Sequence, residues 1–361
     1  MRVLVTGGAG FIGSHVVDLL VAGGDEVRIL DSLHPLAHDA PPAYLNSGAE
    51  YLFEDIRDEG AVATALRGVD AVCHQAAVVG MGVDFGDLAE YVSINDGGTA
   101  TLLKALWKTG FCGPLVLAGS MVVYGEGRYR CADHGVVTPA PRSPADLAAG
   151  RFDPACSRCG GSLDPEEIPE ESPLDPKSVY AATKLHQEHL CAVFARESGS
   201  RFAALRYHNV YGSRMPFDTP YAGVASIFRT ALERREAPQV FEDGAQMRDF
   251  VHVTDVARAN VLALTSTGAS GPFNVSSGNP TTLLEMADCM CDASGTGLRP
   301  QITGQFRLSD VRHVFASPDR AHRELGFRAQ VGFREGMRAF LEEPLRAARD
   351  TEGTAPRRSL R

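Results

Sequence analysis

The sequence has no apolar run long enough to cross a bilayer, which argues against a membrane protein and for a cytoplasmic one. Its opening, MRVLVTGG, lacks the charged-then-apolar layout and cleavage site of a signal peptide, so the first residues are expected to belong to the fold. Positive charge is also short. With 35 Lys and Arg against 45 Asp and Glu, the formal net charge of −10 leaves little with which to neutralise phosphates, and argues against nucleic acid as a partner. Eight cysteines in such a setting do not make a disulfide framework, so any clustering among them reads as metal binding or chance. Cys73, Cys112 and Cys191 stand in apolar surroundings and read as small core residues. Cys289 and Cys291, two apart, would point to different helix faces.

What is present is an ordinary globular composition, 44% hydrophobic and 22% charged over 361 residues, enough for one large α/β unit or two closely joined lobes. Arg2 to Val5 reads as a short buried strand that runs into Gly7-Gly8-Ala9-Gly10-Phe11-Ile12-Gly13 and a helical pattern from His15 to Leu20. In a strand, glycine turn and helix of this kind, Gly7 permits the turn, Gly10 lets backbone approach a pyrophosphate, and Gly13 allows close helix packing. The motif alone is weak, because a glycine-rich turn need hold no ligand. A second strand, Glu26 to Leu30, ends at Asp31, the expected distance on for a carboxylate that binds ribose hydroxyls. That favours NAD over NADP, unless Arg28 or a loop lysine alters the balance. Tyr51 to Ile56 and Ala71 to His74 read as further strands around a helix containing Val62 to Leu66, an alternation that predicts a parallel, doubly wound Rossmann-type sheet.

Another strand, Leu115 to Leu117, ends at Ser120, and Tyr180-Ala181-Ala182-Thr183-Lys184 follows after a long interval. Four-residue spacing puts Tyr180 and Lys184 on one helix face. A phenol with an ordinary pKa near 10 is a poor base at neutral pH, and Lys184 is a cation able to lower it. Between these motifs Cys131-x-x-His134 precedes Cys156-x-x-Cys159-Gly160-Gly161, the paired short spacings of a tetrahedral zinc ribbon. Residues 127–172 are rich in Pro, Gly and Ala, and such a segment could hardly fold without a staple. Zinc here reads as structural, since four protein ligands leave no open position. A flexible loop with free thiols or a redox pair is the other reading.

From the N-terminus to about Phe340 the chain resembles the extended short-chain dehydrogenase/reductases that include the nucleotide-sugar epimerases and dehydratases. The resemblance rests on the glycine turn, Asp31, Asp55-Ile56, His74-Gln75-Ala76-Ala77, Asn95 with Gly98 and Thr99, Ser120, and Tyr180-x-x-x-Lys184. It implies NAD held by Gly7, Gly10, Phe11, Ile12, Gly13, Asp31, Asp55, Ile56, Gln75, Ala76, Ala77 and Asn95, with Tyr180 as acid/base, Lys184 on the nicotinamide ribose and Ser120 orienting substrate. His74 either lines the cleft or is a satisfied structural histidine.

Within the family pattern Leu205 to Gly212 enters the sugar-nucleotide site, where Asn209 would bind a phosphate or sugar oxygen. Arg248 and Arg307 would take the pyrophosphate, with Asp310 near the nucleoside ribose. A guanidinium fork suits that anion, although either arginine could be a surface ion-pair partner. Val314, seven residues past Arg307, falls where bulk limits the sugar pocket.

Dehydratases of this family carry an Asp-Glu pair after the catalytic hydroxyl residue; here Met121 and Val122 stand there and cannot relay protons for water elimination. The pattern therefore implies 4-epimerisation through a transient 4-keto sugar. Oxidoreductase, decarboxylase or dehydratase chemistry on the same hydride step, and a non-catalytic NAD-binding scaffold, are the alternatives. The block from Tyr129 to Gly160 resembles a bacterial branch assigned as dTDP-L-rhamnose 4-epimerases, which implies dTDP-L-rhamnose and dTDP-6-deoxy-L-talose; a UDP-sugar is the alternative substrate. The expected organisation is an NAD-binding domain over 1–213 with insertion 127–172, rejoined by 251–278. A smaller interleaved lobe is expected over 214–250 and 279–345, followed by a disordered tail over 346–361. The resemblance also implies a homodimer through the helices after Asn95 and around Tyr180.

Overall fold

The computed structural model describes residues 1–346 except 36, 39, 81–84, 218–222 and 309; apart from Arg346, the expected tail lies outside the described residues. Val3 and Val5 pack on one face of their strand and Leu4 on the other, because successive strand residues point to opposite sides. Both sides are buried. This is the condition of a parallel sheet covered by helices on both faces. The strands are β1 (Arg2–Thr6), β2 (Glu26–Leu30), β3 (Glu50–Leu52), β4 (Ala71–His74), β5 (Leu115–Ser120), β6 (Phe202–Tyr207) and β7 (Gly271–Val275).

They form one sheet in the order β7-β6-β5-β4-β1-β2-β3, with every neighbouring pair parallel. The winding reverses between β1 and β4. A crevice opens at the carboxyl ends of those two strands, where doubly wound sheets hold their ligands. Helix α1 (Phe11–Ala22) and helix α5 (Val253–Thr265) bury Val16, Leu20, Val256 and Ala263 against one face. On the other face, α2 (Glu59–Ala65), α3 (Gly98–Lys108) and α4 (Val179–Ser198) bury Val62, Leu102, Leu106 and Phe194.

The strand expected from Tyr51 to Ile56 is only Glu50–Leu52, since it is the sheet's edge and has one partner. Phe53 is exposed and stacks on Tyr51 at 5.7 Å. Cys112 is exposed rather than a core residue, and Cys289 and Cys291 are both buried in one cluster.

Helices Val224–Glu233, Leu283–Ser294 and Phe333–Phe340 share a separate apolar cluster that includes Phe228, Met286, Met290, Met337 and Phe340. Beside it Met247–Arg248 pairs antiparallel with Thr281–Thr282 and parallel with His313–Val314. Within the long interval before Tyr180, Arg128–Cys131 is the middle strand between Gly135–Val137 and Asp164–Glu166, all antiparallel. That small sheet has hardly any core: its buried cluster is Cys131, Val137 and Cys156, with Leu163 packed beside.

Candidate active site

The turn after β1 is shaped by close contacts. Gly7 has φ +69°, and a Cβ there would lie 2.7 Å from the Ala76 nitrogen, while a Cβ on Gly13 would lie 2.2 Å from the Gly7 oxygen. Only glycine fits either place. Gly10 caps α1 in an extended conformation with no side-chain cap, so the first-turn amides stay available to an anion. At the end of β2, Asp31 accepts hydrogen bonds from the amides of Ala9 and Leu33, both at 2.9 Å, fixing the carboxylate at the crevice. Arg28 is turned away, bound to Glu50 and to the carbonyls of Ala65 and Arg67.

A cavity of about 440 Å³ fills the crevice. It is lined by Gly7, Gly10, Phe11, Ile12, Gly13, Asp31, Asp55, Ile56, Gln75, Ala76 and Ala77, and at its other end by Ser120, Met121, Tyr180, Lys184, His208 and Asn209. The glycine cradle, the capless helix start and the carboxylate fit a dinucleotide without a 2′-phosphate. Arg346, His34 and His38 also line the cavity. Sequence reasoning missed them, for Arg346 sits in a segment with no periodicity, where its amide bonds the Met215 carbonyl.

The π-helical turn Val92–Gly97 carries Asn95, which the sequence pattern placed on the cofactor. It does not line the cavity. Its side chain accepts from the Val78 amide and donates to the Val78 carbonyl and to Thr183 of α4, joining the cavity wall to the catalytic helix. His74 is likewise structural, held between Thr6 and Thr99, with burial pushing its imidazole down to about 3.

Ser178 caps α4 by accepting from the Ala181 amide, which sets the phase of the helix and brings Tyr180 and Lys184 to the cavity. The Lys184 Nζ donates to the Ala118 carbonyl at 3.1 Å and lies 5.9 Å from the centre of the Tyr180 ring. Burial pushes the Tyr180 phenol up, and contact with the Ser120 hydroxyl draws it back; burial also pushes Lys184 down to about 8. At the phenol the effect of burial is the larger, and that of the Ser120 hydroxyl opposes it.

Farther out the residues diverge. Asn209 lines the cavity, whereas Arg248, Arg307 and Asp310 are not among its lining residues. The Arg248 guanidinium donates to the carbonyls of Met247, Val311 and Arg312, and Arg307 lies exposed over the Phe241 ring at 5.1 Å. Asp310 is half-buried, which raises its carboxyl against the pull of Arg307 and Arg248. Val314 is buried against Val123 and Ile168.

In the insertion, the side-chain donor atoms of Cys131, His134, Cys156 and Cys159 lie within 4.8 Å of one another. Three of their separations are 3.5, 3.7 and 3.8 Å. A tetrahedron with Zn–S bonds of about 2.3 Å and a Zn–N bond of about 2.0 Å has edges of roughly 3.5–3.8 Å, so the set fits zinc. Amides of Arg158 and Cys159 push the Cys156 thiol down to about 6, toward the thiolate that a metal needs.

Sequence reasoning also missed a buried ionic cluster. Arg142 and Arg312 share Glu242 at 2.7 and 2.8 Å, and Arg312 also reaches Asp243 and Asp153, each at 2.7 Å. It ties the insertion to the segments that carry Arg248 and Asp310.

The profile of the NAD dependent epimerase/dehydratase family matches residues 3–147 and 156–276. A dTDP-L-rhamnose 4-epimerase of Burkholderia thailandensis is 34% identical over 343 residues, covering 93% of both chains. Among solved structures, UDP-glucose 4-epimerase of Thermotoga maritima with UDP-glucose superposes with a TM-score of 0.78 at 30% identity, covering 95% of this chain and 98% of that one. The Thermus thermophilus UDP-glucose 4-epimerase complex with NAD gives 0.75 at 31% identity, with the same coverage. The chain belongs to the NAD-dependent epimerase/dehydratase family.

Proposed function

We propose that the chain is an NAD-dependent nucleotide-sugar 4-epimerase whose substrate pair is dTDP-L-rhamnose and dTDP-6-deoxy-L-talose. The observation that carries the reading is the inner end of the cavity, where the Tyr180 phenol meets the Ser120 hydroxyl beside buried Lys184 and the next residues are aliphatic Met121 and Val122. NAD bound in the glycine cradle supplies the capacity to take a hydride from the carbinol carbon and to give it back. Tyr180 removes the 4-hydroxyl proton as that carbon is oxidised and returns it on reduction. Ser120 orients the hydroxyl, and Lys184 favours the phenolate. Without an acid pair after Ser120, water is not eliminated. The cycle is redox-neutral once the keto sugar has turned over.

The substrate rests on the likeness to the Burkholderia enzyme; the Thermotoga structure with UDP-glucose makes a UDP-sugar the second candidate. Arg248, Arg307 and Asp310 belong to the nucleotide side of this reading. Cys131, His134, Cys156 and Cys159 hold a structural zinc in it. Trp107 on α3 and Val193 on α4 are exposed, which supports a homodimer through those helices. No described helix is long and apolar enough to cross a membrane, and the reading is of a cytoplasmic enzyme.

Incubation with dTDP-L-rhamnose and no added cofactor, followed by chromatography with mass detection, tests it. A new peak of unchanged mass is expected. A peak lighter by two hydrogens would replace epimerisation with net oxidation, and no change would move the search to UDP-sugars with NAD supplied.

A further inference from the structure

The last described residues are drawn up to the cofactor cavity as a strap. The Arg214 amide donates to the Pro344 carbonyl at 2.8 Å and the Arg346 amide to the Met215 carbonyl at 3.0 Å, and Pro216 and Arg346 form a parallel bridge. Behind them the Arg229 guanidinium holds the carbonyls of Phe340 and Glu343. The strap lies on the first turn of α1. Met215, Leu345 and Phe11, the residue that opens α1, pack in one apolar cluster, and the His15 ring meets the Ser213 carbonyl at 3.0 Å. Met215, Pro216 and Arg346 line the same cavity as Gly10, Phe11 and Ile12.

What the strap brings there is a charge. Apart from histidines, Arg346 and Lys184, the latter at the reacting end, are the cations among the described lining residues. Neighbouring arginines are engaged elsewhere: Arg214 stacks on the Tyr44 ring at 4.8 Å and pairs with Asp18 at 2.7 Å, and Arg28 pairs with Glu50. Arg346 is half-buried and pairs with no carboxylate among the described residues. Its side chain meets the Tyr44 phenol, which burial raises and the Arg346 charge draws back, and the Tyr44 hydroxyl donates to the Ala9 carbonyl at 2.9 Å. The guanidinium therefore stands beside the glycine turn. His38 is pushed down to about 4, first by burial and then by Arg346, and is neutral. An unpaired cation beside uncapped helix amides suits a phosphate anion, and a guanidinium fork matches two of its oxygens. We propose that Arg346 binds the pyrophosphate of NAD, so that the anion is held between the first-turn amides of α1 and a guanidinium supplied by the C-terminal strap. The proposal rests on the cavity being the NAD site. The other phosphate that such a guanidinium could take, a 2′-phosphate, is repelled by the Asp31 carboxylate. Held in this way NAD is released slowly, which suits a redox-neutral cycle with a resident cofactor.

Release of NAD from the holoenzyme tests it. Wild type, Arg346→Met and Arg346→Lys are loaded with isotopically labelled NAD, and exchange against unlabelled NAD is followed by mass detection at about 0.05 and about 0.5 M salt. Methionine keeps the aliphatic stem and removes the charge. At low salt, release is expected to be about 10- to 100-fold faster in Arg346→Met, with Arg346→Lys between it and wild type. High salt should speed release from wild type more than from Arg346→Met. NADP, titrated in parallel, separates the two phosphates: lost NADP affinity in Arg346→Met with NAD release unchanged would move Arg346 to the ribose and overturn the proposal. So would equal release from all three proteins, or equal acceleration by methionine and lysine with a lower melting temperature of the NAD-free protein, the mark of a structural role. If the variants behave as expected but wild type turns over neither dTDP-L-rhamnose nor UDP-glucose, the epimerase reading falls and this one stands. Turnover by wild type with NAD release unchanged in Arg346→Met would do the reverse.

Discussion

The main sheet and the insertion before Tyr180 are held by different forces. The sheet is packed from both sides by apolar clusters that its strands form with helices on either face, so Ser120, Tyr180 and Lys184 sit on elements held by hydrophobic burial. The insertion's own apolar cluster holds three buried residues, two of them cysteines, while its Ile168 is buried instead against Val123 and Val314 of the main body. One region carries the chemistry on a self-sufficient frame. The other is a small module whose Cys131, His134, Cys156 and Cys159 could hold a metal ion, and which Arg142, Asp153 and Arg312 tie to its neighbour.

The comparison breaks most sharply if the staple proves unnecessary. Zinc binding in small modules contributes on the order of 10 kcal/mol to their folding. Cys156→Ser is therefore expected to lose the metal, from about one zinc per chain to a small fraction, and to open residues 127–172 to hydrogen exchange while β1 and β4 stay protected. Zinc well below one per chain in wild type purified without chelator would remove the staple altogether.

Next in size is a change that should touch chemistry and leave structure alone. Tyr180→Phe removes the proton carrier and is expected to cut turnover by about 10³-fold or more, with zinc and melting temperature unaltered and NAD still bound. Full activity in that variant would sink the assignment.

A change at the seam comes third. Arg312 is 1% exposed and bonded to three carboxylates, and its replacement leaves Glu242 buried with Arg142 as its partner in the cluster. Breaking a buried ionic cluster by deleting one partner costs about 3–5 kcal/mol, so Arg312→Met should lower the melting temperature by several degrees. A silent Arg312→Met would mean that the insertion is held by its metal alone.

The same contrast explains what could be read in the chain itself. The glycine turn, Tyr180 with Lys184, and the pairs Cys131-x-x-His134 and Cys156-x-x-Cys159 are local patterns, where a short spacing fixes geometry before any tertiary contact forms. Asn95 and His74 were legible as special but not as scaffolding, because their partners Val78, Thr183, Thr6 and Thr99 come together only through the sheet and its helices. Nothing short-range marks Arg142, Asp153, Glu242 and Arg312 as one cluster, for the positions are up to 170 residues apart by subtraction. His208 is a matter of register: it comes one residue after the partner of Ser120 and lines the cavity, and a sequence cannot show that both its ring nitrogens are buried without a partner.

The smallest effect sharpens the comparison from within the sheet. Burial pushes the Lys184 ammonium down to about 8, well below the ordinary lysine range, while the proposed mechanism uses its charge to favour the Tyr180 phenolate. As pH rises through about 8 the cation is lost, and turnover should decline on that side. Stability should move the other way, because the unfolded lysine keeps its proton up to about pH 10.4 and so binds more protons than the folded one in the interval. Turnover and melting temperature measured between pH 7 and 10 should thus diverge. In Lys184→Met the alkaline decline and the rise in melting temperature should vanish together, with turnover lower throughout by about 10²-fold. An alkaline decline that persisted in Lys184→Met would move the titration to another group and leave Ser120 as the main influence opposing burial at Tyr180.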